Sequence, residues 1–119
     1  MELPETFMIS LPERYGELLN GNGGDRHGLK AHTVRIALRE ELPRLDGVAY
    51  VVASRRIVGP FKSKFTVVPH ADFWEALTDK SQELGVDKSS LARVALCLFL
   101  DRVQAAENKE VTHEQPEAV

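Results

Sequence analysis

The chain has little of several residue types on which common site chemistries depend. A single cysteine, Cys97, excludes an intrachain disulfide and a zinc site built from several cysteines. The four histidines do not follow zinc-ligand spacing: His27, His32, His70 and His113. No serine, cysteine or carboxylate pair stands in a catalytic signature. We therefore expect no catalytic residue, no metal site and no cofactor, and a protein that is not an enzyme.

Long apolar segments are also missing. The apolar run from Val94 to Leu100 has seven residues, whereas a membrane-spanning helix needs about 20. The chain starts without a signal peptide pattern, so we expect a cytoplasmic protein without membrane contact. The glycine-rich stretch from Asn20 to Gly24 lacks the Lys-Ser/Thr pair of a phosphate loop and predicts a flexible turn.

What the sequence does contain begins with an alternating strand after residue 61. Lys64 and Thr66 alternate with Phe65 and Val67, so an extended strand has one polar face and one face toward a core. A two-stranded ribbon of this kind fits the major groove of DNA. Because an isolated strand leaves its backbone groups unpaired, a second strand must pair with this one.

Two helices are predicted after the strand. The segment from Ala71 to Leu84 carries an apolar stripe that includes Phe73 and Leu77, and Gly85 is its expected C-terminal cap. Asp87 is the expected N-cap of a second helix that runs to about Val103. This second helix is apolar around its whole circumference near its centre, so we expect protein to bury it on every side.

The order of strand, helix, turn and helix resembles the ribbon-helix-helix family, the Arc, MetJ and CopG type of repressors, and is most similar to the CopG pattern. The likeness runs from Lys64 through Leu98, about a third of the chain. It implies an antiparallel pair of strands in the major groove and a core of intertwined helices. The resemblance assigns base reading to Lys64, Thr66 and Val68, and phosphate anchoring to the helix start at Lys88 and Ser89.

Val68 departs from the family pattern, which often has a polar residue there. Either only Lys64 and Thr66 of this strand contact bases, or Val68 contacts a thymine methyl group.

The net charge of the whole chain does not favour a nucleic-acid partner, but the positions of the charges along the chain do. The formal net charge is −3, and the four glutamates and one lysine that follow Val103 account for all of it. Arg55, Arg56, Lys62 and Lys64 lie close together in a stretch that contains no acidic residue. We expect Arg55, Arg56 and Lys62 to attract phosphate, although a solvated basic linker is an alternative.

The N-terminal half repeats this pattern more weakly. Phe7, Ile9 and Leu11 alternate with outward Thr6, Met8 and Ser10. Phe7 matches Phe65 at a separation of 58 residues, which we call the repeat offset. A predicted helix from about residue 31 to 42 mirrors the second helix of the C-terminal half at the same offset. A tandem duplication would explain this likeness and resembles the TraY-type conjugation accessory proteins; an unrelated N-terminal extension is the alternative.

The expected fold class is α+β and mostly helical, with one or two tandem ribbon-helix-helix units. The tandem interpretation divides the chain into a degenerate first unit (1–44), a β-prone connector (45–61), a DNA-binding unit (62–104) and a disordered acidic tail (105–119). The tandem would pair its strands within one chain as a pseudo-dimer, with Met8 and Ser10 added to the base-reading set. A single unit would need a homodimer.

The function expected from the resemblance is a sequence-specific transcriptional repressor that binds double-stranded DNA. One alternative is an antitoxin that wraps a toxin protein, although the tail lacks apolar anchors. Another is an accessory protein that acts on DNA in a relaxosome or in partition.

Overall fold

The computed structural model describes the backbone of residues 3–23 and 29–118, and the side chains of residues 3–19 and 32–106. Gly24 and His27 lie outside the described residues, as does the side chain of His113. The fold is mixed α+β and mostly helical. Its elements in chain order are β1 (Phe7–Leu11), α1 (Glu13–Gly23), α2 (Leu29–Glu41), a 3-10 turn (Leu42–Arg44), α3 (Gly47–Arg56), β2 (Ser63–Val67), α4 (Ala71–Leu84) and α5 (Lys88–Ala118).

The two strands pair with each other in antiparallel fashion within the one chain. Met8 lies opposite Thr66, and Ser10 lies opposite Lys64. Along β1 the side chains of Phe7, Ile9 and Leu11 are buried while the residues between them face outward, as the period-two pattern predicts. The strand that the sequence requires for pairing therefore comes from the N-terminal half of the same chain.

The two halves of the chain have the same order of strand, helix and helix. Helices α1 and α4 begin at Glu13 and Ala71, which are separated by the repeat offset. Residue pairs at this offset are buried in both halves: Tyr15 and Phe73, Leu19 and Leu77, Ala37 and Ala95, Leu38 and Leu96, and Leu42 and Leu100. The repeat offset seen between Phe7 and Phe65 thus extends to matching core positions in both helices of each half.

The predicted junction between α4 and α5 is confirmed. Gly85 has a left-handed backbone with φ of 69°, which glycine adopts without steric cost, and its N–H donates to the Ser81 carbonyl at 2.9 Å. Asp87 then caps α5, because its carboxylate accepts the Ser90 amide at 2.9 Å. These local signals place both helix ends.

Helix α5 is covered by other parts of the chain. Around its apolar centre Val94, Ala95, Leu96, Cys97 and Leu100 are buried, and Leu98 and Phe99 are half-buried. The helix packs against α2 and β1, both from the N-terminal half. Of the helices in the part of the chain that the structure describes, none combines the length and the apolar character needed to span a membrane.

The β-prone connector predicted for residues 45–61 is wrong, because residues 47–56 form α3. Asp46 caps this helix by accepting the Ala49 amide at 2.7 Å. The side of α3 that faces the core contains Ala49 and Ala53, and Ile57 follows at the same spacing. A spacing of four residues is typical of one face of a helix. The valines between them obscure this spacing in the sequence, and tertiary packing overrides their weak β preference.

Two further predictions of irregular structure differ from the structure. The flexible turn was expected from Asn20, but α1 continues to Gly23. The tail expected to be disordered from residue 105 instead continues α5 to Ala118. The tail contains no glycine and is rich in alanine and glutamate, which favour helix without needing to be buried.

A buried ion pair joins the two halves at the far end of α2. Glu41 is only 1% exposed, and its two carboxylate oxygens accept from the Arg102 guanidinium of α5 at 2.8 and 3.0 Å. The two-point contact matches the planar geometry of both groups. Since the Arg102 side chain is 54% exposed, water reaches one partner of the pair.

Replacement of this arginine should destabilise the fold more than loss of an exposed ion pair. Arg102→Ala leaves the Glu41 carboxylate buried without its partner, and we expect unfolding to become easier by about 2 kcal/mol, below the range for fully buried pairs because of the exposure of Arg102. Lys80→Ala, which removes the Lys80–Glu83 pair, should cost under about 1 kcal/mol. Urea denaturation measures both; equal small losses would contradict the structural role of the Glu41 pair.

Candidate nucleic-acid interface

The outer face of the strand pair presents a compact set of side chains to solvent. We define the outer face as Met8, Ser10, Lys64 and Thr66, together with Thr6 and Val68, which lie one residue beyond the ends of the strands. Met8 is 54% and Val68 is 65% exposed; Thr6, Lys64 and Thr66 are also exposed, and Ser10 is half-buried. The structure therefore brings together all five residues that the sequence predicts to read bases.

One end of the outer face is cationic. Lys64 lies opposite Ser10, and Lys62, also exposed, comes just before β2. Neither strand contains an acidic residue. The face can therefore accept an anionic surface, with hydroxyl groups and apolar side chains farther along the same strands.

Arg93 of α5 supports the strand pair. Its Nε donates to the Ser10 carbonyl at 2.7 Å, and its guanidinium carbon lies 3.9 Å from the centre of the Phe61 ring. The guanidinium thus joins a helix of the C-terminal half to the strand of the N-terminal half. A charge-assisted bond of this kind, with a stacked aromatic ring, limits movement of β1 relative to α5.

Trp74 lies beneath the other end of the strand pair. Its ring packs edge-on against Phe7 with the centres 5.1 Å apart, and the residue is only 8% exposed. Trp74 is therefore a packing residue of the core. Lys88 Nζ lies 5.4 Å from the centre of the same ring, so the half-buried Lys88 is held beside the core.

The predicted phosphate anchor at the start of α5 has a mixed character. The Asp87 carboxylate accepts a hydrogen bond from the Ser90 amide, and this hydrogen bond is the main reason why the pKa of the Asp87 carboxyl lies below its ordinary value. The amides of Lys88 and Ser89 remain as donors of the first helical turn. The ionised Asp87 opposes an anion at this point, so phosphate binding here would depend on these amides and on the Lys88 charge.

Arg55 and Arg56 are not on the outer face. Both are exposed at the C-terminal end of α3, and Arg56 lies 3.9 Å from the Asp101 carboxylate of α5. At this helix end the two cations stabilise the helix dipole. Of the four basic residues that the sequence groups together, the structure places Lys64 on β2 and Lys62 just before it, whereas Arg55 and Arg56 lie at the end of α3.

Other reactive groups are held in unreactive states. Burial raises the pKa of the Cys97 thiol to about 12, so the thiol is protonated at neutral pH. Burial, with a hydrogen bond to Asp101, raises the pKa of Tyr15 to about 12. Among the described residues, no three histidine, cysteine or carboxylate side chains come together as a metal site.

Sequence reasoning placed Thr6 on the outward side of the first strand but did not assign base reading to it, and it missed the support that Arg93 gives to this surface. The repeat offset could have identified Thr6, because it maps Thr6 onto Lys64. The contact of Arg93 with Ser10 joins distant parts of the chain and has no local signal in the sequence.

Comparisons of the chain with protein-family models, curated proteins and solved structures find no match.

Arg93 and Arg35 occupy equivalent positions of the two halves and allow a matched test. Arg93→Ala should lower the free energy of unfolding by about 2 kcal/mol, since it removes a charged hydrogen bond to the strand, and should speed amide hydrogen exchange in β1. Arg35 instead pairs with Asp72 at 3.0 Å on a partly exposed surface, so Arg35→Ala should cost under about 1 kcal/mol and leave β1 protected. Equal exchange rates in the two variants would show that Arg93 does not support the strand.

Proposed function

We propose that this protein binds double-stranded DNA sequence-specifically by inserting the β1·β2 pair into the major groove, and that it represses transcription by occupying its operator. The observation that carries the proposal is the outer face: a paired ribbon has Lys64 and Thr66 exposed with Ser10 beside them. Beneath them lie the buried residues Phe7, Ile9, Leu11 and Val67. Such a face has hydrogen-bonding groups directed away from the core, where a base edge could meet them.

The dimensions of the ribbon fit this role. Paired strands are about 4.8 Å apart, and the major groove is about 12 Å wide and admits a two-stranded ribbon. The inner side of the pair is fixed on the core by Ile9 and Leu11, both fully buried. The outer face can therefore enter a groove without exposing apolar residues of the core.

The charge distribution also supports DNA as the partner. Although the whole chain is acidic, Lys62 and Lys64 lie at one end of a ribbon without acidic residues. The resemblance of this segment to ribbon-helix-helix repressors agrees with the same surface. Base reading is accordingly assigned to the outer face, and phosphate attraction to Lys62 and the start of α5.

The direct test is DNA binding by variants of the outer face. Lys64→Ala and Thr66→Ala should each weaken binding to a duplex selected from a random pool by about 1–3 kcal/mol and relax the preference at one position. Thermal unfolding should change little, because both side chains are exposed. Lys80→Ala, which also removes a lysine but lies on α4, is the control and should retain the affinity and the preference.

Fluorescence anisotropy at fixed salt concentration measures these affinities. Unchanged binding by both outer-face variants, or a full-length protein that prefers no duplex sequence, would contradict the proposed function.

A second candidate function is binding of a protein partner, as in an antitoxin, and α3 favours it. Val48, Val51 and Val52 lie on one side of this helix and are 75%, 45% and 55% exposed, and Val58 after the helix is 63% exposed. Residues spaced three and four apart form a continuous helical stripe. Exposed apolar side chains grouped in this way often mark protein-binding surfaces.

The two functions can be separated on the same chain. Val48→Ser with Val52→Ser should abolish co-purification with the product of a neighbouring toxin-like reading frame, while DNA binding is retained. Lys64→Ala should have the opposite pattern. Retention of the partner by the double valine variant would exclude α3 as its binding surface.

A further inference from the structure

The strand pair has a pseudo-twofold centre. Met8 lies opposite Thr66, and these residues are separated by the repeat offset that relates the two halves. Equivalent residues face each other only at the centre of such a pair. On either side of this centre the structure places positions that would be identical in a homodimer but differ in this chain.

The two ends of the outer face have different chemistry. At one end Ser10 lies opposite Lys64. By the repeat offset their equivalents are Val68 and Thr6, which lie at the other end, each one residue beyond the last strand pair, Phe7 and Val67. A symmetric ribbon would have the same two side chains at both ends, whereas this one has a lysine with a serine at one end and a valine with a threonine at the other.

Each end suits a different base pair. Lysine donates to the O6 and N7 acceptors of guanine, and the serine hydroxyl can add a second hydrogen bond. Valine and the methyl group of threonine contact the methyl group of thymine, and Val68 is exposed enough to reach it. Met8 lies between the ends with an exposed apolar side chain.

We propose that the outer face has a fixed polarity: its Ser10·Lys64 end reads guanine, and its Thr6·Val68 end reads thymine, so the bound site is asymmetric. This inference rests on the proposed DNA-binding function. Lys64 and Val68 are four residues apart, about 13 Å along an extended strand. Since stacked bases are about 3.4 Å apart, the two ends contact different base pairs.

Selection of duplexes from a random pool is the first test. The wild-type chain should select a site with G·C at one end and A·T at the other. Replacing the selected thymine by deoxyuridine removes one methyl group and should weaken binding about fourfold. Lys64→Ala should weaken binding about 5- to 150-fold and relax the preference at the G·C end alone.

A variant with equal ends is the sharper test. Thr6→Lys with Val68→Ser gives both ends a lysine and a serine, and this double variant should select guanine at both ends of its site. The reciprocal variant, Ser10→Val with Lys64→Thr, gives both ends a valine and a threonine and should select thymine at both ends with lower affinity. Circular dichroism of the three proteins checks that the fold is retained.

The outcomes separate this inference from the function on which it rests. A wild-type chain that binds no duplex selectively overturns both. A wild-type chain that selects a palindrome, or a Thr6→Lys, Val68→Ser variant that keeps the asymmetric preference, overturns the polarity while DNA binding stands. Matching changes of the site in both double variants support the assignment of the two ends.

Discussion

The antiparallel pairing of β1 with β2 is the interaction on which the rest of the fold depends. An isolated two-stranded ribbon is marginal in water, so its inner face must be covered, and α5 packs against β1 to do this. The strands belong to opposite halves of the chain, and therefore the two halves fold around a shared centre rather than as separate domains. Arg93 on Ser10 and Arg102 on Glu41 join the halves at different points along α5.

Pairing within one chain allows equivalent positions to diverge. Trp74 fills the space beside Phe7, while its equivalent in the other half, Gly16, lies where a side chain would overlap the Ser63 hydroxyl. The glycine therefore lets α1 lie close to β2 at Ser63. In a homodimer any such change would appear twice and would have to fit both sides, because the same residues form both halves of the interface. The asymmetry of the core thus has the same origin as the asymmetry of the outer face.

Local signals in the sequence predict one part of this structure and not the other. Alternation identified both strands and their buried residues, and the apolar stripe with Gly85 gave α4 its bounds. The helix at 47–56 was missed because exposed valines masked the four-residue spacing of Ala53 and Ile57, and only tertiary packing selects the helix there. The register of Met8 with Thr66 depends on contacts between distant segments. The outer-face residues were thus predictable, but the support that Arg93 gives them was not.

The location of charge bears on how selective the proposed DNA binding can be. Non-specific affinity for DNA comes mainly from cationic side chains that displace counterions from phosphate. In this chain two cations have acidic neighbours, because Arg56 lies near Asp101 and Lys88 follows Asp87 at the start of α5. These acidic neighbours reduce the general attraction for phosphate without touching the outer face. A protein with weak phosphate attraction must obtain its affinity from base contacts, and this raises the ratio of specific to non-specific binding. The acidic net charge is therefore compatible with the proposed sequence-specific DNA binding, because it would lower the non-specific affinity against which the base contacts of the outer face would discriminate.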